Sequence, residues 1–324
     1  MKILVTGGTG FLGQHLVRAL QTDGHDVSFL GRDFTRAQLL LQAGARPIVA
    51  DLRDQAAIRQ ACEGIEVVYH VGALSAAWGK REDFYGSNVE GTRAVINGAL
   101  AHGVRRLVYV SSPAVIFTGH DTHKASDDLP YPQRFTSLYA LTKKLGEDLV
   151  NAAASRMETV ILRPKAIFGP GDRTLLPRLV ATARRGRLPQ IGAGHNLVDL
   201  TYVENVVYAL KLALHPSMGT GPYTITNDEH VPLWDMIRQV LRELGLSAHL
   251  RQIPIPVALT SAALMEARAT LTKQEPLLTR YTVNLLGRTQ TYDISAARRD
   301  LGYSPRVSVA EGIRRTIETL RVEI

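Results

Sequence analysis

Short runs of Val, Ile and Leu without polar alternation recur at residues 2–5, 27–30, 47–50, 67–71, 107–110 and 159–162. Runs of that kind suit strands buried on both faces, as in a parallel sheet covered by crossover helices. The segments between them, near 11–20, 36–42, 55–62, 88–101 and 137–154, read as helices. The alternation predicts repeated β-α-β units and hence an α/β fold on a doubly wound parallel sheet. Past Arg163 the texture changes. Of the 15 prolines, 11 lie from Pro164 onward, and helices expected near 175–184, 203–214, 233–244 and 310–320 alternate with brief strands. We expect one unit over residues 1–170 and a smaller C-terminal α/β part over 171–324. No repeat period or low-complexity stretch competes with this organisation.

Composition narrows the class further. At 324 residues, 45% hydrophobic and 21% charged, the chain has ample material for a folded core. Cys62 is the single cysteine, so no intramolecular disulfide or cysteine-rich zinc site can form. The ten histidines show no metal-ligand spacing, and no metal is expected. The opening Met-Lys-Ile-Leu-Val-Thr-Gly-Gly is too short an apolar stretch for a signal segment, and longer uncharged runs carry Gly, Pro or His. A soluble protein of the reducing cytoplasm, with no integral membrane segment, is expected. The net charge of +8 comes from scattered doublets such as Arg105-Arg106 and Arg314-Arg315. Without a basic block, this reads as a general pull on anionic ligands and not as nucleic-acid binding.

The first strand runs directly into Thr6-Gly7-Gly8-Thr9-Gly10-Phe11-Leu12-Gly13, which opens the first helix. Glycines at 7, 10 and 13 meet three needs of a dinucleotide site: a tight turn, close backbone approach to a pyrophosphate, and close helix–sheet packing. By composition alone this spacing is expected about 0.2 times, so its place between a strand and a helix carries the argument. Residues 1–170 are thereby expected to form a dinucleotide-binding (Rossmann) unit, with Gly7, Thr9, Gly10, Phe11, Leu12 and Gly13 at the cofactor. At the end of the second strand, Gly31 occupies the place where an acid would bond a ribose 2′-hydroxyl, and Arg32 follows at once. That favours NADP, with NAD left open by the neighbouring Asp33. Asp51-Leu52, after the third strand, is placed to meet the adenine edge; Asp51 could equally cap the helix expected at 55–62.

Tyr139 and Lys143 stand four apart in a helical stretch and so share a face. An ammonium there stabilises a phenolate and can also reach a ribose. Lys144 lies about 100° around the helix and is the weaker candidate. Ser111-Ser112-Pro113 follows the strand at 107–110, at the carboxyl edge where parallel sheets bind ligands.

At these residues the sequence resembles an extended short-chain dehydrogenase/reductase, over essentially the whole chain. Within that superfamily, Tyr109-Val110-Ser111-Ser112-Pro113-Ala114-Val115, Pro130-Tyr131-Pro132, Arg163-Pro164-x-x-Ile167-Phe168-Gly169-Pro170-Gly171-Asp172 and Asp199-Leu200-Thr201-Tyr202-Val203 are similar to the 3β-hydroxysteroid dehydrogenase group. That group includes sterol-4α-carboxylate 3-dehydrogenases and bacterial 2-alkyl-3-oxoalkanoate reductases; His70-Val71-Gly72-Ala73 and Trp78-Gly79 agree with the latter. The resemblance implies that Ser112, Tyr139 and Lys143 are catalytic and that Val71, Gly72 and Pro164 line the cofactor. It also implies a homodimer through the helices at 88–101 and 137–154. Where nucleotide-sugar epimerases commonly carry an arginine before the Asp-Phe-x-Tyr-Val pattern, this chain has Val198, which counts against a sugar-nucleotide substrate.

The expectation is an NADP(H)-dependent oxidoreductase acting on the ketone or secondary alcohol of a hydrophobic molecule such as a 2-alkyl-3-oxoalkanoate. A 3β-hydroxysteroid or sterol-4α-carboxylate is the alternative substrate, and an NADP-sensing regulator the alternative of another class. His70 reads as a packed strand-end residue. Trp234 and the stretch 258–271 read as core or pocket cover, and the uncharged stretch 253–265 as a core helix before a pocket lining or membrane-surface contact.

Overall fold

The six apolar runs become strands of one parallel sheet, and a seventh strand joins from the C-terminal half. In the computed structural model, which describes residues 1–214 and 220–322, they are β1 (Lys2–Thr6), β2 (Asp26–Gly31), β3 (Arg46–Val49), β4 (Val67–His70), β5 (Arg106–Val110), β6 (Glu158–Pro164) and β7 (Tyr223–Ile225). Their order is β3-β2-β1-β4-β5-β6-β7, with every pairing parallel. The order reverses between β1 and β4. A crevice must therefore open outside the carboxyl ends of those two strands, because their crossover helices leave in opposite directions.

Alternate strand residues feed two cores, which is why the runs show no polar alternation. On one face Ile3, Val5, Phe29 and Val108 pack with Leu16, Val17 and Leu20 of the helix Phe11–Thr22 and with Val206 and Leu210 of the helix Val203–Leu212. On the other, Leu4, Val68, Leu107 and Ile161 meet Ile58 of Gln55–Ala61, Val95 of Gly91–Ala101 and Val150 of Leu138–Ala153.

A second sheet joins strands His230–Pro232, Leu197–Asp199, Gln290–Tyr292 and Thr122–Ala125 in that order, the first pair antiparallel and the others parallel. The division at 170 follows the change of texture along the chain, but strand pairing crosses it three times, once in the short pairing of Ile167–Phe168 with Thr201–Tyr202. Thr122–Ala125 pairs with a C-terminal strand, and β7 completes the N-terminal sheet.

Three elements differ from expectation. The helix expected from residue 88 begins at Arg81 and runs through a π-turn, Gly86–Glu90, into Gly91–Ala101. Gly86, Ser87 and Asn88 are weak helix formers, so propensity hid the first two turns, while burial of Phe84 carries the helix across them. The cap of Gln55–Ala61 is Asp54, whose carboxylate accepts from Ala57 N at 3.0 Å, so Asp51 is not the cap. The stretch 253–265 is not a core helix. It opens Ile255–Thr272, which buries only Ala258, Ala262 and Ala269 and leaves Val257, Leu264, Met265 and Leu271 exposed. Trp234, by contrast, is fully buried, its indole N–H donating to Leu286 O at 3.1 Å.

Candidate active site

A cleft of about 1590 Å³ runs from the β1–β4 switch point into the second sheet. All the residues singled out from sequence for catalysis or cofactor line it: Gly7, Thr9, Gly10, Phe11, Leu12, Gly13, Arg32, Asp51, Leu52, Val71, Gly72, Ser112, Tyr139, Lys143 and Pro164.

The glycine loop is cut to receive something. Gly7 has φ +67°, and a Cβ there would lie 2.6 Å from the Cα of Gly72, so the loops after β1 and β4 touch through backbone. A Cβ on Gly13 would lie 2.1 Å from Gly7 O, which leaves no room for any other residue. Gly10 caps the helix Phe11–Thr22 and no side chain caps it, so the positive end of the helix faces the cleft. These features fit a dinucleotide pyrophosphate.

At the far end of the loop, Arg32 is exposed and its guanidinium lies 3.7 Å from Asp51. Asp51 is held mainly by Arg53, through Nε and Nη2 bonds of 2.9 Å each, and those bonds keep its carboxyl down at about 2. Arg53 also lines the cleft, so two cations flank this end of it where the sequence pointed to one. Asp33 points elsewhere: its carboxylate accepts from Thr35 N at 2.9 Å and Thr35 Oγ1 at 3.0 Å. The absence of a side chain at 31 has a local reason too, since a Cβ there would sit 2.4 Å from Thr9 Cγ2.

Tyr139 lies in the first turn of Leu138–Ala153, a helix started by Ser137 Oγ accepting from Ala140 N at 3.1 Å. Burial raises the Tyr139 pKa, and the nearby Ser112 hydroxyl opposes that rise. Ser112 is fixed by capping the short 3₁₀ turn Pro113–Val115, its Oγ accepting from Ala114 N at 3.2 Å. Ser111 Oγ is buried and meets no hydrogen-bond partner among the described residues, which separates the two serines. One turn past Tyr139, Lys143 is 2% exposed and its Nζ lies 3.9 Å from the centroid of the Tyr109 ring. Burial pushes its pKa down to about 7, with the Glu147 carboxylate pulling the other way. Lys144 instead pairs with Asp148 at 2.6 Å on the outer face.

Two buried networks hold this group in place. Arg163 on β6 clamps Glu147 of the same helix through Nε–Oε1 at 2.9 Å and Nη2–Oε2 at 2.8 Å, and Tyr131 donates to Glu147 at 2.7 Å. Beneath Lys143, His70 ties β1 to Gly91–Ala101: Thr6 Oγ1 lies 2.7 Å from Nδ1, and Nε2 lies 3.0 Å from Thr92 Oγ1. Thr92 donates to Asn88 O, so Nε2 carries the proton and Nδ1 accepts. Burial first, and Lys143 second, lower the His70 pKa to about 3, leaving it a neutral packed residue. Asn88, which sequence reading passed over, anchors the loop after β4 by accepting from Leu74 N at 2.7 Å and reaches Thr142 at 3.0 Å.

Beyond Tyr139 the walls turn apolar, with Leu200, Met236, Ile253, Val257, Met265 and Leu278 along the cleft and Val198 buried beside them. Lys165, Tyr281 and Asp199 are among the polar residues there and were not expected at the site from sequence. Among the described residues no cluster of ligating side chains could hold a metal, and no helix is long and apolar enough to cross a membrane.

A glycine loop at the switch point, joined by a serine, a tyrosine and a lysine across the same cleft, defines the short-chain dehydrogenase/reductase class. The description of the 3-beta hydroxysteroid dehydrogenase/isomerase family matches residues 4–256, and the chain belongs to that family. It is 40% identical to a 2-alkyl-3-oxoalkanoate reductase of Stenotrophomonas maltophilia, over 97% of this chain and 98% of that one. It is 34% identical to the decarboxylating sterol-4-alpha-carboxylate 3-dehydrogenase of Mus musculus, over 98% and 90% respectively. Among solved structures, gox2253 superposes with a TM-score of 0.82 at 26% identity, covering 99% of this chain and 98% of that one. MoeE5 in complex with UDP-glucose and NAD superposes with a TM-score of 0.78 at 27% identity, covering 100% and 99%.

Proposed function

We propose that the chain is an NADP(H)-dependent oxidoreductase that reduces the ketone, or oxidises the secondary alcohol, of a hydrophobic substrate such as a 2-alkyl-3-oxoalkanoate. The observation that carries the reading is that Ser112, Tyr139 and the buried Lys143 line one cleft where its glycine-loop end meets its apolar end. The NAD-bound MoeE5 likeness supports a nicotinamide dinucleotide, and Arg32 with Arg53 favours the 2′-phosphorylated form. A second reading, oxidation of a 3β-hydroxy-4-carboxysterol to a β-keto acid that then loses CO₂, is favoured by the Mus musculus relative. Both substrates carry a carboxylate on the carbon next to the one that bears oxygen.

The glycine loop and the start of Phe11–Thr22 would hold the pyrophosphate, Leu52 and Val71 the adenine side, and Pro164 the nicotinamide side. A bound reduced nicotinamide supplies hydride to the ketone carbon. Tyr139 donates the proton to the ketone oxygen, Ser112 polarises that oxygen by a hydrogen bond, and Lys143 keeps the phenol acidic enough to give its proton up. Residues after 170 mainly build the substrate end. The same reading has the chain working as a homodimer, through Gly91–Ala101 and Leu138–Ala153, in the reducing cytoplasm.

Turnover and binding together test it. Tyr139→Phe should abolish NADPH-dependent reduction of long-chain β-keto acids, by about 10²-fold or more, while NADPH affinity stays near wild type. Lys143→Ala should damage both. Full activity in Tyr139→Phe would overturn the chemistry, and NADPH binding without turnover of any ketone would favour a sensor.

A further inference from the structure

A further cation lies in the cleft, outside the Ser112–Tyr139–Lys143 group and besides the arginines that line it. Lys165 follows β6 directly, and its Nζ donates to Gln290 Oε1 at 2.6 Å and lies 5.4 Å from the centroid of the Tyr292 ring. The carboxylate that acts on it is Asp199, which is engaged elsewhere. Asp199 Oδ1 takes His230 Nδ1 at 2.7 Å, and Oδ2 takes the Tyr292 N–H at 2.7 Å. No carboxylate among the described residues forms an ion pair with Lys165.

An ammonium has three donors, and Gln290 uses one. Lys165 is half-buried, and drawing such a group partly out of water without a counter-ion costs stability; that burial pushes its pKa down to about 8. A feature that costs stability and faces a ligand cleft points to a charge supplied by the ligand. Its position fits the chemistry. Lys165 lines the same cleft as Ser112 and Tyr139, and is tied to Gln290 of the second sheet, toward which the cleft runs beyond the reacting group.

We propose that Lys165 anchors the substrate carboxylate, so that the cleft selects β-keto or β-hydroxy acids over neutral ketones of the same length. This rests on the oxidoreductase reading above, in which the substrate carries a carboxylate beside the reacting carbon. With the carboxylate on Lys165 and the oxygen between Ser112 and Tyr139, the substrate is held at two points and its acyl chain is directed along the apolar wall.

The test uses ligands that cannot be reduced. Calorimetric titration of the NADPH-loaded protein with decanoate and decanamide should show a preference for the acid of about ten- to a hundredfold. Lys165→Gln and Lys165→Met should each erase that preference with NADPH affinity unchanged, and Lys165→Arg should keep most of it. Making both neutral variants guards against a folding defect in one. Equal wild-type affinity for the two ligands, or a preference that survives in the neutral variants, overturns the proposal. A Lys165-dependent preference in a protein that reduces no ketone would leave the carboxylate site standing and remove the reductase reading. Ketone reduction without any acid preference would do the reverse.

Discussion

Replacing Glu147 by glutamine removes one charge and almost no volume from the buried clamp that seats the helix Leu138–Ala153. Arg163 and Glu147 are 1% and 0% exposed and share two hydrogen bonds, so the variant leaves a buried guanidinium whose remaining ion-pair partner is Asp127, at 3.5 Å. Breaking a buried pair from one side costs about 3–5 kcal/mol. At about 2.1 cal/mol/K per residue, unfolding this chain carries roughly 0.7 kcal/mol/K, so Tm should fall by roughly 4–7 °C. A second effect is electrostatic. Burial lowers the Lys143 pKa to about 7 and Glu147 opposes it, so losing that carboxylate lowers the pKa further. Lys143 then sheds its proton at lower pH, and the basic limb of the kcat/KM profile moves toward acid. The double variant Glu147→Leu with Arg163→Met separates the two effects. It leaves no unpaired charge and should recover most of the Tm, but its basic limb should stay shifted because the carboxylate is still missing. Calorimetry and a pH–rate profile on the three proteins decide the matter. A Glu147→Gln protein that melts within 1 °C of wild type with an unmoved profile would refute the reasoning.

Cofactor preference should respond to three positions together. Gly31→Asp with Arg32→Ile alone should lose affinity for both cofactors, because the new Cβ meets Thr9 at 2.4 Å. Adding Thr9→Gly should give an NADH-preferring protein, a reversal of about ten- to a hundredfold read as the ratio of kcat/KM values. Stability should depend on pH through His70, whose pKa of about 3 in the fold lies below the ordinary 6.5. The unfolded chain then binds the proton more readily, so stability is full above about 6.5 and declines as pH falls toward 3. His70→Gln should flatten that slope in a series of thermal melts, and an unchanged slope would assign it to other groups.

Legibility in the sequence followed locality. The glycine loop and the Tyr139–Lys143 spacing are written in consecutive residues whose geometry a single strand-turn-helix unit fixes, and the structure places both in one cleft. Thr122–Ala125 and β7 escaped because each is short and gains its strand character from a partner far along the chain: Gln290–Tyr292 for one, β6 for the other. Arg53 looked like any exposed arginine until Asp51 turned it toward the ribose end. Lys165 and Tyr281 come together through folding alone. Their only local signal was a lysine directly after the Arg163-Pro164 pair, which carries no chemistry until Gln290 and Tyr292 arrive beside it.

The exchange of strands across residue 170 makes the two halves of the chain mutually dependent. A fragment ending there would present β6 as a bare hydrogen-bonding edge of buried apolar residues, the kind of edge that recruits another chain. It would also leave Thr122–Ala125 without the strand it pairs with. A fragment beginning there would bring β7 with no sheet to join. Neither half can be borrowed as a ready-made module, so grafting a new substrate end onto this nucleotide-binding frame means carrying Thr122–Ala125 and Tyr223–Ile225 along with it. The same crossing gives every opening of the substrate end a lever on the frame, since Tyr223–Ile225 hydrogen-bonds to the strand that carries Arg163 and Pro164.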